Sequence, residues 1–151
     1  SRLAAERPRM QLDGNCRYLL DQLDVGVSIV SWNPEDPAAM DWLLINESRC
    51  RISGFTREEI RAQPPFGQVT RETRAQVKVI NTQIAQDGHF TIESTLLHKS
   101  KTAIPVVIHM TLIEVDGSDA LMRVLGLEIA GLLGGLELEL ILDRGRALQV
   151  G

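Results

Sequence analysis

The sequence has few of the residues that build metal sites and disulfide frameworks. In 151 residues it has two cysteines, Cys16 and Cys50, and three histidines, His89, His98 and His109. The cysteines lie far apart, and no spacing matches that of zinc ligands. We therefore expect no metal site, and we expect the cysteines to be free thiols rather than a disulfide.

Long apolar runs, basic clusters and phosphate-binding glycine loops are also missing. No apolar stretch reaches the roughly 20 residues that a membrane-spanning helix needs, which argues against membrane contacts. The formal net charge is −4, and the basic residues form no cluster, which argues against nucleic-acid binding. Gly134-Gly135 lacks the surrounding pattern of a phosphate-binding loop.

What remains is an ordinary globular composition with one region of dense local signals. Hydrophobic residues make up 44% of the chain and charged residues 24%, which suits one domain with its own core. Residues 43–60 read LLINESRCRISGFTREEI. The apolar start predicts a buried strand, and Asn46 predicts the N-cap of a helix. Gly54 predicts the end of that helix, and Thr56 with Glu59 predicts a capping box that starts a second one.

This stretch resembles a recurring segment of PAS sensory domains. Residues 46–60 are similar to the pattern N-x-A-x-x-x-I-x-G-Y/F-T-x-E-E-I/L of that family. Residues 20–27 resemble its preceding L-x-x-L-P-x-G-V segment, with Asp24 where Pro is usual. Residues 88–106 resemble its last hairpin. The resemblance covers residues 19–129, which leaves an N-terminal helical flank at 1–18 and a C-terminal tail or linker at 130–151.

The resemblance implies an α+β PAS fold with a five-stranded antiparallel sheet in the order 2-1-5-4-3. Short helices and one long helix would cover one face of the sheet. In the long helix Val77, Ile80 and Ile84 would share a buried face. Asp116-Gly117 predicts a tight hairpin. The strands are predicted at residues 25–32, 40–45, 90–98, 103–115 and 121–129, and the long helix at residues 71–86.

The two ends of the chain give weaker predictions. Residues 1–13 are expected to be mobile or loosely helical. Asn15 would cap a helix that runs through Leu23 and buries Tyr18, Leu19 and Leu23 on one face. In the tail, Leu133, Leu136 and Leu140 fit a helix face, while residues 136–140 also alternate as a strand would. Both readings stay open, and either one would bury the leucines through association.

Residues 103–115 are apolar on both faces of the predicted strand, which a sheet with one solvated face would not show. We therefore expect the outer face of the sheet to be covered, either by the N-terminal helix or by a second subunit. The second arrangement would make the protein a homodimer.

By the resemblance, the expected function is sensing and relay rather than catalysis. A small-molecule ligand or a partner protein would shift the sheet and the N-terminal helix, and so bias an output domain outside this chain. PAS domains are commonly joined to histidine kinases of two-component systems, diguanylate cyclases or helix-turn-helix transcription regulators. We expect a cytoplasmic bacterial signalling protein.

Two alternatives use the same fold differently. A ligand-free dimerisation module would have a filled core and would act through its subunit interface. A small enzyme would need a buried carboxylate as general base, and Glu93 on the third predicted strand is the candidate. An exposed or ion-paired Glu93 would remove that second alternative.

The cofactor is left unknown. Helix 71–86 has no His to serve as an axial ligand, which argues against haem. Residues 15–20 read NCRYLL and resemble the NCRFLQ signature of flavin-bound LOV domains, but they precede the first strand. The position after Gly54, where that signature belongs, has no Cys, which argues against covalent flavin. Non-covalent flavin is an alternative, with Trp32 and Trp42 as candidates to line its cavity.

The candidate pocket residues come from the matched elements and from the alternation of the strands. Each of them is also expected to be an ordinary core residue. They are Trp42, Asn46, Phe55, Ile60, Val79, Ile80, Phe90, Ile92, Ile108 and Val124.

Overall fold

One sheet of six strands forms the centre of the described structure. The computed structural model describes residues 7–127. The five longer strands have the order β3-β2-β6-β5-β4, all antiparallel, as the resemblance predicted. The short strand β1 was not predicted. The strands are β1 (Arg9–Met10), β2 (Gly26–Ser31), β3 (Trp42–Ile45), β4 (His89–Leu97), β5 (Ala103–Val115) and β6 (Ser118–Leu127).

In the described part of the chain, five helices lie against this sheet or beside it. None of the helices within residues 7–127 is long and apolar enough to cross a membrane. A single 3-10 turn at Pro37–Ala39 connects β2 to β3. The helices are α1 (Gly14–Asp21), α2 (Glu47–Ser53), α3 (Arg57–Arg61), α4 (Arg71–Ala75) and α5 (Val77–Asp87).

Caps explain why α2 and α3 are so short. The Asn46 side chain accepts a hydrogen bond from the backbone N–H of Arg49 at the start of α2. Gly54 has φ of 76° and ends α2 in the left-handed conformation, which costs glycine little. Thr56 and Glu59 then cap each other's backbone N–H groups at the start of α3. These predicted caps are confirmed.

The predicted long helix over residues 71–86 is wrong in one respect, because it is two helices. The chain tightens at Gln76, whose N–H donates to the Thr73 carbonyl. The Thr73 hydroxyl also lies 2.7 Å from Ser94 Oγ on β4, which anchors α4 there. In contrast, α5 packs on the inner face of the sheet through Ile80 and Ile84. The two anchors hold the two helices in separate positions.

The N-terminal predictions also need correction. Arg9 and Met10 form β1, which pairs in parallel with Glu114 and Val115 at the end of β5. Helix α1 is capped by Asp13, whose side chain accepts from the N–H of Cys16. Residues 1–6 and the tail beyond residue 127 lie outside the described residues.

The buried face of α1 also differs from the predicted one. Cys16 and Leu20 are the buried residues of this helix, whereas Tyr18 is 64% exposed. Four-residue spacing places Cys16 and Leu20 on one side of the helix, which faces the sheet. Of the predicted stripe, Tyr18 was wrongly placed, whereas Leu23 is partly buried and packs against the same apolar cluster as Cys16 and Leu20.

Two apolar layers lie on opposite faces of the sheet. The outer layer joins Met10 and Leu20 to Val27, Ile113 and Met122, so β1 and α1 cover this part of the outer face. The inner layer lies between the sheet and α5. Its buried members are Val30, Met40, Val69, Ile80, Ile84, Leu96, Val106, Ile108, Met110, Leu112, Leu121 and Leu125.

One buried side chain joins the strands to both α1 and α2. Asn46 is 1% exposed, and its Oδ1 accepts from the backbone N–H of Val27 at 2.8 Å and of Arg49 at 2.9 Å. Its Nδ2 donates to the carbonyls of Leu20 at 2.8 Å and Val25 at 3.0 Å. All four hydrogen bonds of the amide are thus made, which fixes the start of α2 against β2 and the end of α1.

We predict that Asn46→Ala lowers the free energy of unfolding by about 3 kcal/mol, because it leaves buried N–H and carbonyl groups without partners. Chemical denaturation of the variant measures this change. Asn15→Ala is the matched control, since Asn15 is exposed on α1, and it should change the value by less than about 0.5 kcal/mol. Equal effects from both substitutions would contradict the structural role of Asn46.

Candidate functional site

A small cavity lies between the inner face of the sheet and the helices. Its volume is about 30 Å³, which is room for about two water molecules. Its wall is mostly apolar but carries two arginines and a glutamine. The lining residues are Ser28, Arg49, Pro65, Phe66, Gln68, Val69, Thr73, Ile80, Ile92, Leu96, Ile108, Met110, Arg123 and Leu125.

Arg123 reaches the cavity from β6 and is 6% exposed. Its Nη1 donates to the Pro65 carbonyl at 2.5 Å, and its Nε donates to Ser28 Oγ at 3.3 Å. The guanidinium carbon lies 5.0 Å from the ring centre of Trp42 and 5.3 Å from that of Phe66. Cation–π contacts and neutral acceptors therefore surround this charge.

Arg49 reaches the cavity from α2 and is 4% exposed. Its Nη2 donates to the Gln68 Oε1. Within residues 7–127 its Nε and Nη1 have no hydrogen-bond partner, and neither has the Gln68 Nε2. A buried donor without a partner costs folding free energy. These three donors belong to residues that line the cavity, so a molecule bound there could pair with them.

The two guanidinium groups carry positive charge that no carboxylate within residues 7–127 balances. Neither Arg49 nor Arg123 forms an ion pair with any described residue. Burial lowers the pKa of Arg49 to about 10. Burial, and then repulsion from Arg49, lower the pKa of Arg123 to about 9. Both values lie above neutral pH, so the cavity wall carries two positive charges at pH 7.

A close approach between backbones sets the position of Arg49. A Cβ added to Gly26 on β2 would lie 3.1 Å from the Arg49 Cα and 3.2 Å from the Ile52 Cδ1. Because glycine has only a hydrogen atom as its side chain, α2 can lie directly on β2 at this position. The Arg49 side chain then extends from α2 toward the cavity.

The loop at residues 63–69 separates the cavity from an open groove at the surface. Pro65 and Phe66 line both spaces. The groove has a volume of about 410 Å³ and continues along Pro37, Ala75 and Val77. Pro65 and Phe66 therefore form the wall that the groove and the cavity share.

Three predicted pocket residues, Ile80, Ile92 and Ile108, line the cavity. Trp42 lies behind it, where its ring contacts Arg123 and its Nε1 donates to the Gln63 carbonyl at 2.9 Å. Asn46 lies at the start of α2, where its four hydrogen bonds connect α2 to β2 and to the end of α1. The structure therefore brings five of the predicted residues to the cavity or close to its arginines.

The other predicted residues lie elsewhere. Phe55 lines a surface groove beside α2 and α3, and Val79 is 64% exposed on α5. Ile60 is fully buried and Phe90 packs in the inner layer, but neither lines the cavity. Val124 lies in the outer layer, because its neighbour Arg123 points inward. The alternation of β6 thus directs residues 123 and 125 toward the cavity, whereas residue 124 was predicted to face it.

The sequence reasoning missed Arg49, Gln68 and Arg123. One signal was present for Arg123, which is the only charged residue between Leu121 and Leu127 in an otherwise apolar strand. An inward position for such a residue needs a polar partner inside the fold. Arg49 and Gln68 had no comparable signal, since a short amphipathic helix and a loop usually carry such residues on the surface.

The carboxylate proposed for an enzymatic alternative is outside this cavity. Glu93 is exposed on β4, on the face opposite Ile92. Within the described part of the chain, no group of three His, Cys, Asp or Glu side chains lies close enough to hold a metal ion. The cavity therefore combines positive charge and apolar wall without a general base.

Solved structures with the PAS fold resemble this chain over most of its length. The PAS domain of an HTR-like protein from Haloarcula marismortui has 11% identity and a TM-score of 0.62, over 74% of this chain and 88% of its own. A PAS domain from a two-component sensor histidine kinase has 13% identity and a TM-score of 0.61, over 76% and 94%. A LOV protein from Rhodobacter sphaeroides has 13% identity and a TM-score of 0.61, over 79% and 68%.

No family model and no curated protein matches the sequence. The chain has the PAS fold, as the resemblance of residues 46–60 predicted. At such identities the likeness is one of fold, and the ligand has to be inferred from the side chains of the cavity.

We predict that Gly26→Ala lowers the free energy of unfolding by about 1–3 kcal/mol, because the added methyl group pushes α2 away from β2. Gly126→Ala on β6 is the matched control, since an added Cβ there meets no atom within 4 Å. Thermal or chemical unfolding of both variants gives the comparison. A Gly26→Ala variant as stable as the control would show that α2 is not held by this contact.

Proposed function

We propose that this chain is the sensory PAS module of a bacterial signal-transduction protein and that it binds a small molecule in the inner cavity. The observation that carries the proposal is the set of unpaired donors on Arg49 and Gln68 in the cavity wall. Buried polar groups without partners are rare in folded proteins, and a ligand is one common reason for them.

A direct path leads from the cavity to the N-terminal helix. Helix α2 carries Arg49 on its cavity side, and its first residues contact the end of α1. The N–H of Glu47 donates to Asp21 Oδ1 at 2.9 Å, and the Ser48 hydroxyl donates to the Leu23 carbonyl. A shift of α2 on ligand binding would therefore move α1.

Arg57 at the start of α3 strengthens this connection. Its Nη2 lies 2.8 Å from the Asp21 carboxylate on α1, and its Nη1 lies 2.8 Å from Glu47 on α2. Its Nε donates to the carbonyl of Ile45 at 2.7 Å. This side chain links α1, α2, α3 and β3, so displacement of one of them is transmitted to the others.

We further propose that the module acts as a homodimer and that it controls an output domain rather than catalysing a reaction. Tyr18, 64% exposed on the outward side of α1, is where a second subunit would receive the movement of this helix. A kinase or a transcription regulator in the parent protein would be such an output, in the cytoplasm.

The second candidate function is a ligand-free dimerisation module. The small volume of the cavity, about 30 Å³, favours it, because ligand pockets commonly measure roughly 300–1,000 Å³. The same small volume disfavours non-covalent flavin unless the loop at residues 63–69 opens. In the dimerisation module, water would occupy the cavity and the arginines would serve the fold alone.

Native mass spectrometry of the full chain as purified distinguishes the two functions. The sensory proposal predicts a dimer that retains an extra mass of a small molecule. Ile92→Phe should remove this mass, because the larger ring fills the cavity that Ile92 lines. Ile104→Phe is the matched control, since Ile104 packs in the same inner layer without lining the cavity.

A bare dimer for the wild type and both variants would favour the dimerisation module. A bare monomer would contradict both candidates. Retention of the extra mass by Ile92→Phe would show that the molecule binds elsewhere on the protein.

A further inference from the structure

We propose that the cavity binds a small organic carboxylate between Arg49 and Arg123, an inference that rests on the proposed function and names its ligand class. The established fold does not imply this ligand. The inference comes from the chemistry of the cavity wall, in which two buried cations face a space with apolar sides.

The donor groups match a carboxylate in number and kind. Arg49 Nε and Nη1 are both unpaired. The Nε–H points away from Nη1, so the two donors have different directions, and either one can make a single charge-assisted hydrogen bond to a carboxylate oxygen. The unpaired Gln68 Nε2 in the same wall supplies a further donor.

Arg123 adds charge rather than a complete set of free donors. Two of its donors already bond to Pro65 and Ser28, and its guanidinium carbon lies 5.0 Å from the ring centre of Trp42 and 5.3 Å from that of Phe66. This arrangement fixes a positive charge beside Arg49, although the two charges repel each other. An anion in the cavity relieves that repulsion and the cost of burying both charges.

The size and the walls of the cavity favour a carboxylate over a phosphate. The space of about 30 Å³, with room for about two water molecules, takes the two oxygens of a carboxylate but not the four of a tetrahedral phosphate. Ile80, Ile92 and Ile108 offer contacts to methyl and methylene groups. Acids longer than these groups would need the Phe66 loop to open.

The test compares acids with their amides on the refolded chain at pH 7. Formate, acetate and propionate should each raise Tm by about 5 °C or more at saturation. Formamide, acetamide and propionamide have nearly the same shapes without the charge, and they should not. Sodium chloride at equal ionic strength is the control for general salt effects.

Gln68→Glu gives the sharpest variant, because it places a carboxylate of the protein itself against Arg49. The Gln68 Oε1 already accepts from Arg49, so the new carboxylate needs no rearrangement. This variant should have a higher Tm than the wild type and should lose the acetate response. Gln76→Glu makes the same charge change at an exposed position and should keep the response.

Arg49→Met and Arg123→Met remove one charge each. Either variant should weaken acetate binding by about 10- to 100-fold, as expected for the loss of a charged hydrogen-bond partner. Arg71→Met, which changes an exposed arginine on α4 that lines neither the cavity nor the groove, should leave it unchanged. If an Arg→Met variant does not fold, Gln68→Glu still decides the question.

Different results separate this inference from the proposed function. Equal shifts from acetate and acetamide would leave a ligand pocket but overturn the carboxylate assignment. Equal shifts from acetate and chloride would overturn it as well, as would a full acetate response in Gln68→Glu. No shift from any acid would overturn the inference, and a bare native mass in addition would overturn the proposed function.

Discussion

The four hydrogen bonds of the Asn46 amide are the constraint on which the arrangement of the site depends. They hold the end of α1, the start of β2 and the first turn of α2 at one buried point. Gly26 then allows α2 to lie directly on the strand. Because α2 carries Arg49, the same constraint that completes the fold also directs a guanidinium into the interior. Structure and proposed sensing thus share one short helix.

Burying the charges of Arg49 and Arg123 costs desolvation free energy, and the fold alone does not explain this cost. An apolar side chain of similar volume at residue 49 or 123 would avoid the desolvation of a cation, and such replacements are often neutral or stabilising. Strongly perturbed ionisable groups cluster at functional sites for this reason. The position of Arg49 on a helix that also contacts α1 gives the charge a second consequence. An anion that binds Arg49 would therefore act on α2, and through α2 on α1.

Local signals in the sequence predicted much of the fold, and long-range contacts limited the rest. The caps at Asn46 and Thr56 and the Asp116-Gly117 turn depend on neighbouring residues, so they are readable from one sequence. The break at Gln76 depends on a contact with β4, and β1 depends on pairing with β5, so neither has a local signal. The site around Arg49 and Arg123 was not predicted for the same reason, because the burial of Arg49 depends on residues far away in the chain. Of the residues at this site, only Arg123 has a signal in the sequence, since it is the one charged residue in an apolar strand.

The central claim is that uncompensated positive charge in the interior is a site for an anion. A crystal structure of the full chain grown in sodium bromide, with data collected at the bromine absorption edge, tests it most directly. The account predicts an anomalous peak inside the cavity, in contact with the guanidinium groups of both Arg49 and Arg123. Bromide peaks confined to the protein surface, with the cavity holding only water, would contradict it.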